Sequence, residues 1–522
     1  MTDNAPNSYD VVPYQGHAFA ETHPERLATI GALFGMQPAP SDACRVLELG
    51  CAEGSNLIPM AVRQPAGQYV GVDSSKRQIE AGRTVVSSLG LANIDLLHQD
   101  ILDLDDSLGK FDYIIAHGVY SWVAPAVRDK VLSICRENLN PQGIAFVSYS
   151  TLPGGHLRAM VREMMFYHAR NDSDALTSVK KGRELLDFLI DSSPQNSAYR
   201  ACLEWERGNL SCVPDHQLRH DTLEDENEPV YFTEFINHAE RFELQYLSDA
   251  AFETMKMHDL PDEAREKIAE LGSDRLELEQ YADFVRNRSL RKTLLCHKEV
   301  RLDLGADAMC LPKFRVASPL RVDEQSASAN TSDETPVTFR LDEKNALTTD
   351  IPFTKTAFKL LEESWPQSLP FDALVAQTEQ KLQSSPAGDD DKHSLAHALF
   401  ECFGRNMIRF DLNPSSGIAQ VAECPQASPI VRMQAAASGT VTSELHRVVE
   451  VDLMKRILLN KLDGQTTRDQ LVALLCELAQ RGDITIHEDG AALTDPDRLR
   501  ESLGKHVDSY LAEFARSALL VA

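Results

Sequence analysis

With 522 residues, 43% of them hydrophobic and 25% charged, the chain is too long for one ordinary domain and predicts two to four domains with sizeable cores. A formal net charge of -27 disfavours nonspecific binding to nucleic acid or anionic membrane and favours basic partners, while also serving solubility. There is no run of ~18 apolar residues, no basic-then-apolar order in residues 1–10, and no Cys-x-x-Cys pair among ten scattered cysteines; a cytoplasmic chain with free thiols and no membrane insertion is expected.

The chain opens with a polar-aromatic cluster, Tyr14, His17, Phe19, Thr22 and His23. A helix can begin at Pro24, with Leu27, Ile30, Ala32 and Leu33 on its apolar side. This segment is either a helix packed on the core or a flap over a site. Arg45-Val-Leu-Glu-Leu-Gly-Cys-Ala-Glu-Gly54 then runs a buried strand through a glycine turn into a helix over 55–64. Such a turn lets a ligand approach the backbone and the first amides of the helix. Tyr69-Val-Gly-Val-Asp73 is a second strand, ending in an acid nineteen residues past Gly54. Ser74 or Ser75 can cap the helix that follows, to about residue 89. A third strand, 94–97, leads to Asp100 and Ile101, and a fourth, Phe111-Asp-Tyr-Ile-Ile-Ala116, opens into His117-Gly-Val-Tyr-Ser-Trp-Val123. Pro125 suits the start of helix 124–138, and Asn140-Pro-Gln-Gly143 predicts a turn before a fifth strand over 144–149. Strands alternating with helices imply an α/β fold, a parallel sheet wound by right-handed crossovers.

From Pro153 the pattern turns helical. Leu157, Met160, Val161, Met164 and His168 recur at helical spacing, and helices over 174–191 and 196–207 follow. The methionines read as core. A helix over 231–239 precedes strands over 242–247 and 292–296, which are expected to rejoin the first sheet and so make 153–225 a helical insertion. Residues 322–337 are rich in Ser, Ala, Asn, Thr, Glu and Asp and predict a linker. Helices over 353–364, 371–382 and 393–403 and a strand within 405–412 resemble a winged helix. After a loose connection over 413–439, helices near 450–462, 467–480 and 495–519, with a strand over 483–487, make a last small domain.

The glycine turn and the later acid fit two cofactor chemistries. A dinucleotide fold needs Gly-x-Gly-x-x-Gly for close approach of a pyrophosphate, but position 52 is Ala and position 55 is Ser. A cofactor without phosphate has no such need. Glu48-x-Gly50-x-x-x-Gly54, Asp73 and Asp100 in that order resemble the motif set of class I S-adenosylmethionine-dependent methyltransferases. The resemblance implies S-adenosyl-L-methionine as cofactor and a Rossmann-like sheet. Gly50, Cys51 and Gly54 would line its methionine portion and Glu48 would support its amino end. Asp73, with Ser74 beside it, would bind the ribose; Asp100 and Ile101 would border the adenine; His117 to Val119 would lie near the sulfonium.

A narrower resemblance covers more of the chain. Tyr9-Asp-Val-Val-Pro-Tyr14, Thr22-His-Pro-Glu-Arg-Leu-Ala-Thr29, Gly118-Val-Tyr-Ser-Trp-Val123, Tyr149-Ser-Thr-Leu-Pro-Gly-Gly155, Asn227-Glu-Pro-Val-Tyr-Phe232 and the run from Phe284 to His297 are similar to bacterial methyltransferases that carry a methyltransferase regulatory domain. That family includes rickettsial protein-lysine methyltransferases. The implied division is a cofactor-binding core (1–165), a helical insertion (166–215), a regulatory domain able to complete the sheet (216–302), a linker (303–345), a winged-helix-like domain (346–415) and an α-rich C-terminal domain (440–522). The implied substrate is a protein, methylated on lysine nitrogen, and a homodimer is compatible with the family.

Lysine is protonated at neutral pH, so an aromatic, desolvating channel would assist it. Tyr120, Trp122 and His117 are candidates for that channel, with no general base assigned, and Tyr14, His17 and Tyr149 for a lid over it. Cys212-x-x-x-His216-x-x-x-His220 has helical metal-ligand spacing but no fourth ligand, and the acids at 221 and 224–226 favour a solvated turn, so no metal is expected. Small-molecule or RNA methylation is the rival reading, since the cofactor half is shared by all these substrates. A DNA-binding or interaction protein built on the winged helix is the second; only Lys392, Arg405 and Arg409 are basic between 391 and 411, too few for a phosphate track.

Overall fold

The computed structural model describes residues 8–172, 174–223, 226–326, 333–382, 388–488, 491–493 and 495–522. The first seven residues of the polar opening, the acids at 224 and 225 and the middle of the 322–337 segment lie outside the described residues. The chain forms two compact units, residues 1–16 with 30–304 and residues 17–29 with 305–522.

The first unit is built on one seven-stranded sheet. In chain order its elements are α1 (Ser8–Val11), α2 (Pro24–Leu33, whose first residues belong to the second unit), β1 (Arg45–Leu49), α3 (Leu57–Arg63), β2 (Gln68–Asp73), α4 (Lys76–Ser88), β3 (Ile94–His98), β4 (Phe111–Ala116), α5 (Pro125–Asn138) and β5 (Leu139–Ser150). Then come α6 (Gly154–Ala169), α7 (Ala175–Ser192), α8 (Ala198–Ser211), α9 (Asp215–Leu223), α10 (Phe232–Arg241), β6 (Leu244–Asp249), α11 (Asp262–Leu271), α12 (Arg275–Arg286) and β7 (Leu290–His297). Strand order is β3-β2-β1-β4-β5-β7-β6, parallel through β5 and antiparallel at β7 and β6. Val46, Leu47 and Leu49 are all fully buried, as expected of a parallel strand covered on both faces. The late strands do join the sheet, at the edge beyond β5.

β3 and β4 are joined by two 3-10 turns, Ile101–Asp103 and Asp106–Leu108. One local expectation changes. Residues 140–143, expected as a turn, are the start of a twelve-residue β5 with an irregularity opposite Phe111 to Tyr113. There the Asn140 amide donates to Asp112 at 2.7 Å, satisfying locally what the broken ladder leaves open.

An ionic cluster pins the added strands. Arg291 on β7 is fully buried; it donates to Asp283 at 2.7 Å and Glu279 at 2.9 Å on α12, with its guanidinium 3.9 Å from the Phe232 ring centroid on α10. Arg288 donates to Asp249 at 2.7 Å, so β6 is tied into the same network. Buried charges persist only when paired in this way.

In the second unit, strand Arg315–Ala317 is central, flanked by Leu369–Pro370 and Arg409–Asp411, with helices Pro352–Ser364, Phe371–Leu382 and Asp389–Gly404. Phe314, Phe403 and Phe410 stack there. The 303–345 span, read as linker, therefore contributes structure: Val316, Ala317 and Leu320 are buried, and Val337–Arg340 pairs with both Arg321–Val322 and Ala346–Thr349. A separate core gathers helices Pro429–Ala437, Leu453–Leu459, Arg468–Arg481 and Pro496–Arg516, with a short hairpin of His487–Glu488 and Ala491–Ala492. No helix among the described residues is long and apolar enough to cross a membrane.

Candidate active site

The chain order of the sheet reverses between β1 and β4, and ligands of such sheets bind outside the carboxyl ends of the strands at that point. The glycine turn lies there. Gly50 and Gly54 have φ of 73° and 80°, a region closed to most side chains. A Cβ on Gly50 would stand 2.6 Å from Val119 Cγ2, so the loop after β4 packs directly on the turn. The turn is closed by β2: the amides of Gly50 and Cys51 donate to the Val72 carbonyl at 2.8 and 3.1 Å.

Three carboxylates face this region. Glu48 is the next-to-last residue of β1, 4% exposed, and one oxygen accepts from the Asn56 amide at 2.9 Å. Its Oε2 is buried with no hydrogen-bond partner among the described residues. Burial, reinforced by the nearby Asp73 and Glu53 charges, pushes its pKa up to about 8. Asp73 ends β2 and accepts from the Ala52 and Ser75 amides, both at 2.8 Å; burial holds its pKa above the ordinary carboxylate value against those bonds. Glu53 accepts from Ser55 at 2.7 Å and from the Gly16 amide at 3.0 Å. An acceptor buried and unpaired, beside a backbone bare of side chains, fits a ligand with a cationic amino end. Each Asp73 oxygen keeps a second lone pair for a hydroxyl.

The other predicted residues divide. Cys51 is buried, and a Cβ on Gly71 would meet its Sγ at 2.7 Å; burial raises its thiol pKa well above normal, so it is a packing residue with backbone toward the cradle. Ser75, not Ser74, caps α4, accepting from the Gln78 amide at 3.2 Å; Ser74 is exposed. Asp100 is exposed and caps its own 3-10 turn through the Leu102 amide, with Ile101 half-buried next to it. His117 is half-buried, its ring parallel to Phe146 at 5.7 Å, and Trp122 is half-buried.

Two expectations need correction. Tyr149 cannot be part of a lid: it is fully buried, stacked 4.1 Å from Phe235, with its hydroxyl 3.0 Å from Thr293. Tyr120 is 2% exposed and its hydroxyl lies 2.7 Å from His238 Nδ1, so it faces the core rather than a channel; burial lifts its pKa to about 12. His17 follows directly on Gly16, and its ring lies 4.2 Å from Phe19.

Tyr14, by contrast, sits in a strap over 8–16 laid across the start of α4. Its carbonyl accepts from Gln78 Nε2 at 3.1 Å, and its hydroxyl accepts from Gln217 at 3.3 Å. Asp10 in the same strap accepts from the Ser75 hydroxyl at 2.6 Å and the Arg77 amide at 3.1 Å. His220 on α9 stacks on Tyr9 at 4.2 Å and bonds the Val12 carbonyl at 2.6 Å. His220 is thus engaged with the strap, and no group of metal-ligating residues is found among the described residues. Sequence reasoning gave no role to Asn56, Glu53, Asp10 and His238: Asp10 and Glu53 lie inside quoted motifs and the other two in none, and only distances in space reveal their partners.

Known proteins resolve what this cradle serves. The family described as "Methyltransferase domain" matches residues 40–194, "Predicted methyltransferase regulatory domain" matches 214–297, and "PKMT, C-terminal winged helix domain" matches 423–519. The solved structure of PKMT2 from Rickettsia typhi is 30% identical, covers 98% of this chain and 100% of its own, and superposes with a TM-score of 0.88. The chain belongs to this family of class I methyltransferases. The same Rickettsia typhi protein in complex with AdoHcy gives a TM-score of 0.89 at 30% identity. An uncharacterized Rickettsia prowazekii protein is 34% identical over 527 residues, covering 99% of this chain and 94% of that one. A second from the same organism is 42% identical over 235 residues, covering 45% of the methyltransferase and 94% of itself. The methyltransferase uses S-adenosylmethionine, and the last small domain, expected as merely α-rich, is where the winged-helix family matches.

Proposed function

We propose that this methyltransferase transfers the methyl group of S-adenosylmethionine to lysine nitrogens of a protein substrate. The observation that carries the reading is the match to PKMT2, a protein-lysine methyltransferase by name, along the full chain and through the C-terminal winged helix rather than over the cofactor half alone. The net charge of -27 suits a basic substrate.

The cofactor supplies an electrophilic methyl on sulfur; the rest is the work of the chain's own residues. Glu48 Oε2 would hold the amino end, the Gly50–Gly54 backbone would admit the methionine portion, Asp73 would take the ribose hydroxyls, and Asp100 and Ile101 would border the base. Transfer is an in-line displacement, so it needs position, a dry site and a neutral amine. Deprotonating a free lysine at pH 7 costs about 4 to 5 kcal/mol. A nearby carboxylate would add to that cost, and an uncharged wall would reduce it. Residues 117–123 carry no carboxylate, so His117, Val119 and Trp122 would supply such a wall, with Val119 packed on Gly50.

Incubation of the full chain with methyl-labelled S-adenosylmethionine and a bacterial lysate tests the proposal. Label mapped by mass spectrometry to lysine side chains is the expected result. Label in RNA or metabolites, with protein unlabelled, would overturn it.

A further inference from the structure

The segment matched as a regulatory domain holds the loop that walls the cradle. After β4 the chain runs through His117 and Gly118 to Val119, whose side chain fills the space over Gly50, and then into a 3-10 turn, Tyr120–Trp122. Nothing on the loop's own sequence fixes Tyr120. Its hydroxyl meets His238 Nδ1 at 2.7 Å, and His238 Nε2 lies 2.8 Å from Asp129 Oδ1 on α5. A carboxylate only accepts, so Nε2 carries the hydrogen and, in the neutral ring, Nδ1 accepts from the tyrosine. Phe235, one turn earlier on α10, meets the Tyr120 ring edge-on at 5.0 Å.

The strand of chain leading into α10 grips the same loop from a second side. The Glu228 amide donates to the Ser121 carbonyl at 2.9 Å, and its carboxylate accepts from Arg128 at 2.6 Å. The Val230 amide donates to the Ser150 carbonyl at 3.1 Å, while Ser150's own amide donates to the Ser121 hydroxyl at 2.9 Å. Glu228, Val230, Phe235 and His238 all lie within 214–297.

We propose that Tyr120 and His238 are positioning residues for methyl transfer: the so-called regulatory domain is the buttress that fixes the 117–122 loop against Gly50. Neither residue touches the reacting atoms. His238 holds Tyr120, Tyr120 sets Val119, and Val119 sets the wall beside the cradle. The inference rests on the methyltransferase activity and is independent of which acceptor is methylated.

Tyr120→Phe removes one oxygen and leaves the ring packing, and His238→Ala removes the whole partner. His238→Asn keeps a polar group near Nδ1 and loses Asp129. Two readouts on the full chain decide the matter. Amide hydrogen exchange at Gly118 and Trp122, which are bonded to Ser148 and Val119, is expected to speed up ~5-fold in Tyr120→Phe, the factor for one net hydrogen bond, more in His238→Ala and least in His238→Asn. Methyl transfer to lysate acceptors falls in the same order, with AdoHcy affinity within ~2-fold of the parent, because one lost bond outside the cradle leaves cofactor contacts intact. Unchanged exchange in Tyr120→Phe overturns the proposal, as does AdoHcy affinity falling in step with transfer, which would mark general damage. Exchange needs no acceptor, so its failure is distinct from failure of the lysine reading.

Discussion

Glu48→Gln tests the cradle most directly. Burial pushes the Glu48 pKa up to about 8, so at pH 7 the carboxyl is mostly protonated before the cofactor binds. Binding an ammonium next to Oε2 favours the ionised form, so the proton must leave. At pH 7 that ionisation costs about 1.4 kcal/mol, one pH unit below the pKa. Affinity for AdoHcy is therefore expected to rise ~10-fold per unit between pH 6 and about 8, then level off. Calorimetry in two buffers of different ionisation enthalpy counts the protons: net release on AdoHcy binding at pH 7 in the parent and none in Glu48→Gln. The variant keeps an acceptor for Asn56 but loses a charge-assisted bond, so binding weakens by ~10- to 150-fold, from ~1.5–3 kcal/mol. Equal proton release in parent and variant would refute the reasoning. Stability carries the opposite sign. The folded pKa lies above the unfolded carboxyl value, so the contribution of Glu48 is present at low pH and lost as pH rises through about 8. The ligand-free variant should gain in melting temperature over the parent between pH 6 and 9.

Gly54→Val, at φ 80° and with a Cβ 3.2 Å from Leu96, is expected to abolish AdoHcy binding, and Asp73→Ala to do so by freeing the Ala52 and Ser75 amides; calorimetry with unchanged affinity in both would sink the cofactor placement. Asn56→Ala leaves both Glu48 oxygens unpartnered, which raises the Glu48 pKa further, so the plateau in AdoHcy affinity shifts to higher pH; a profile coincident with the parent's refutes it. Arg291→Met strands Asp283, Glu279 and Asp249 without their shared cation and should lower stability by ~3–5 kcal/mol in urea unfolding; a loss below ~1 kcal/mol would show that Arg288 alone suffices.

The parts that local patterning governs were legible in the residues. Consecutive apolar residues set β1 and β4 as strands buried on both faces, glycines at 50 and 54 set positive φ, and Asp73 at a strand end set a carboxylate beside the turn. These are short-range constraints, and each leaves a mark within ten residues of itself. The partners of those groups were decided by tertiary structure. Asn56, eight residues from Glu48, gives no pattern that names it, and His238 is 118 residues from Tyr120. Aromatic residues after a strand fit a channel and a core equally well in sequence, because both bury rings. Only packing against Phe235 and Thr293 sent Tyr120 and Tyr149 inward and left His117 and Trp122 half-buried. The sequence by itself thus determined the glycine turn and its flanking acids, since both are local. The wall beside it was decided by the fold, since a hydrogen bond between distant segments exists only once the sheet has brought them together.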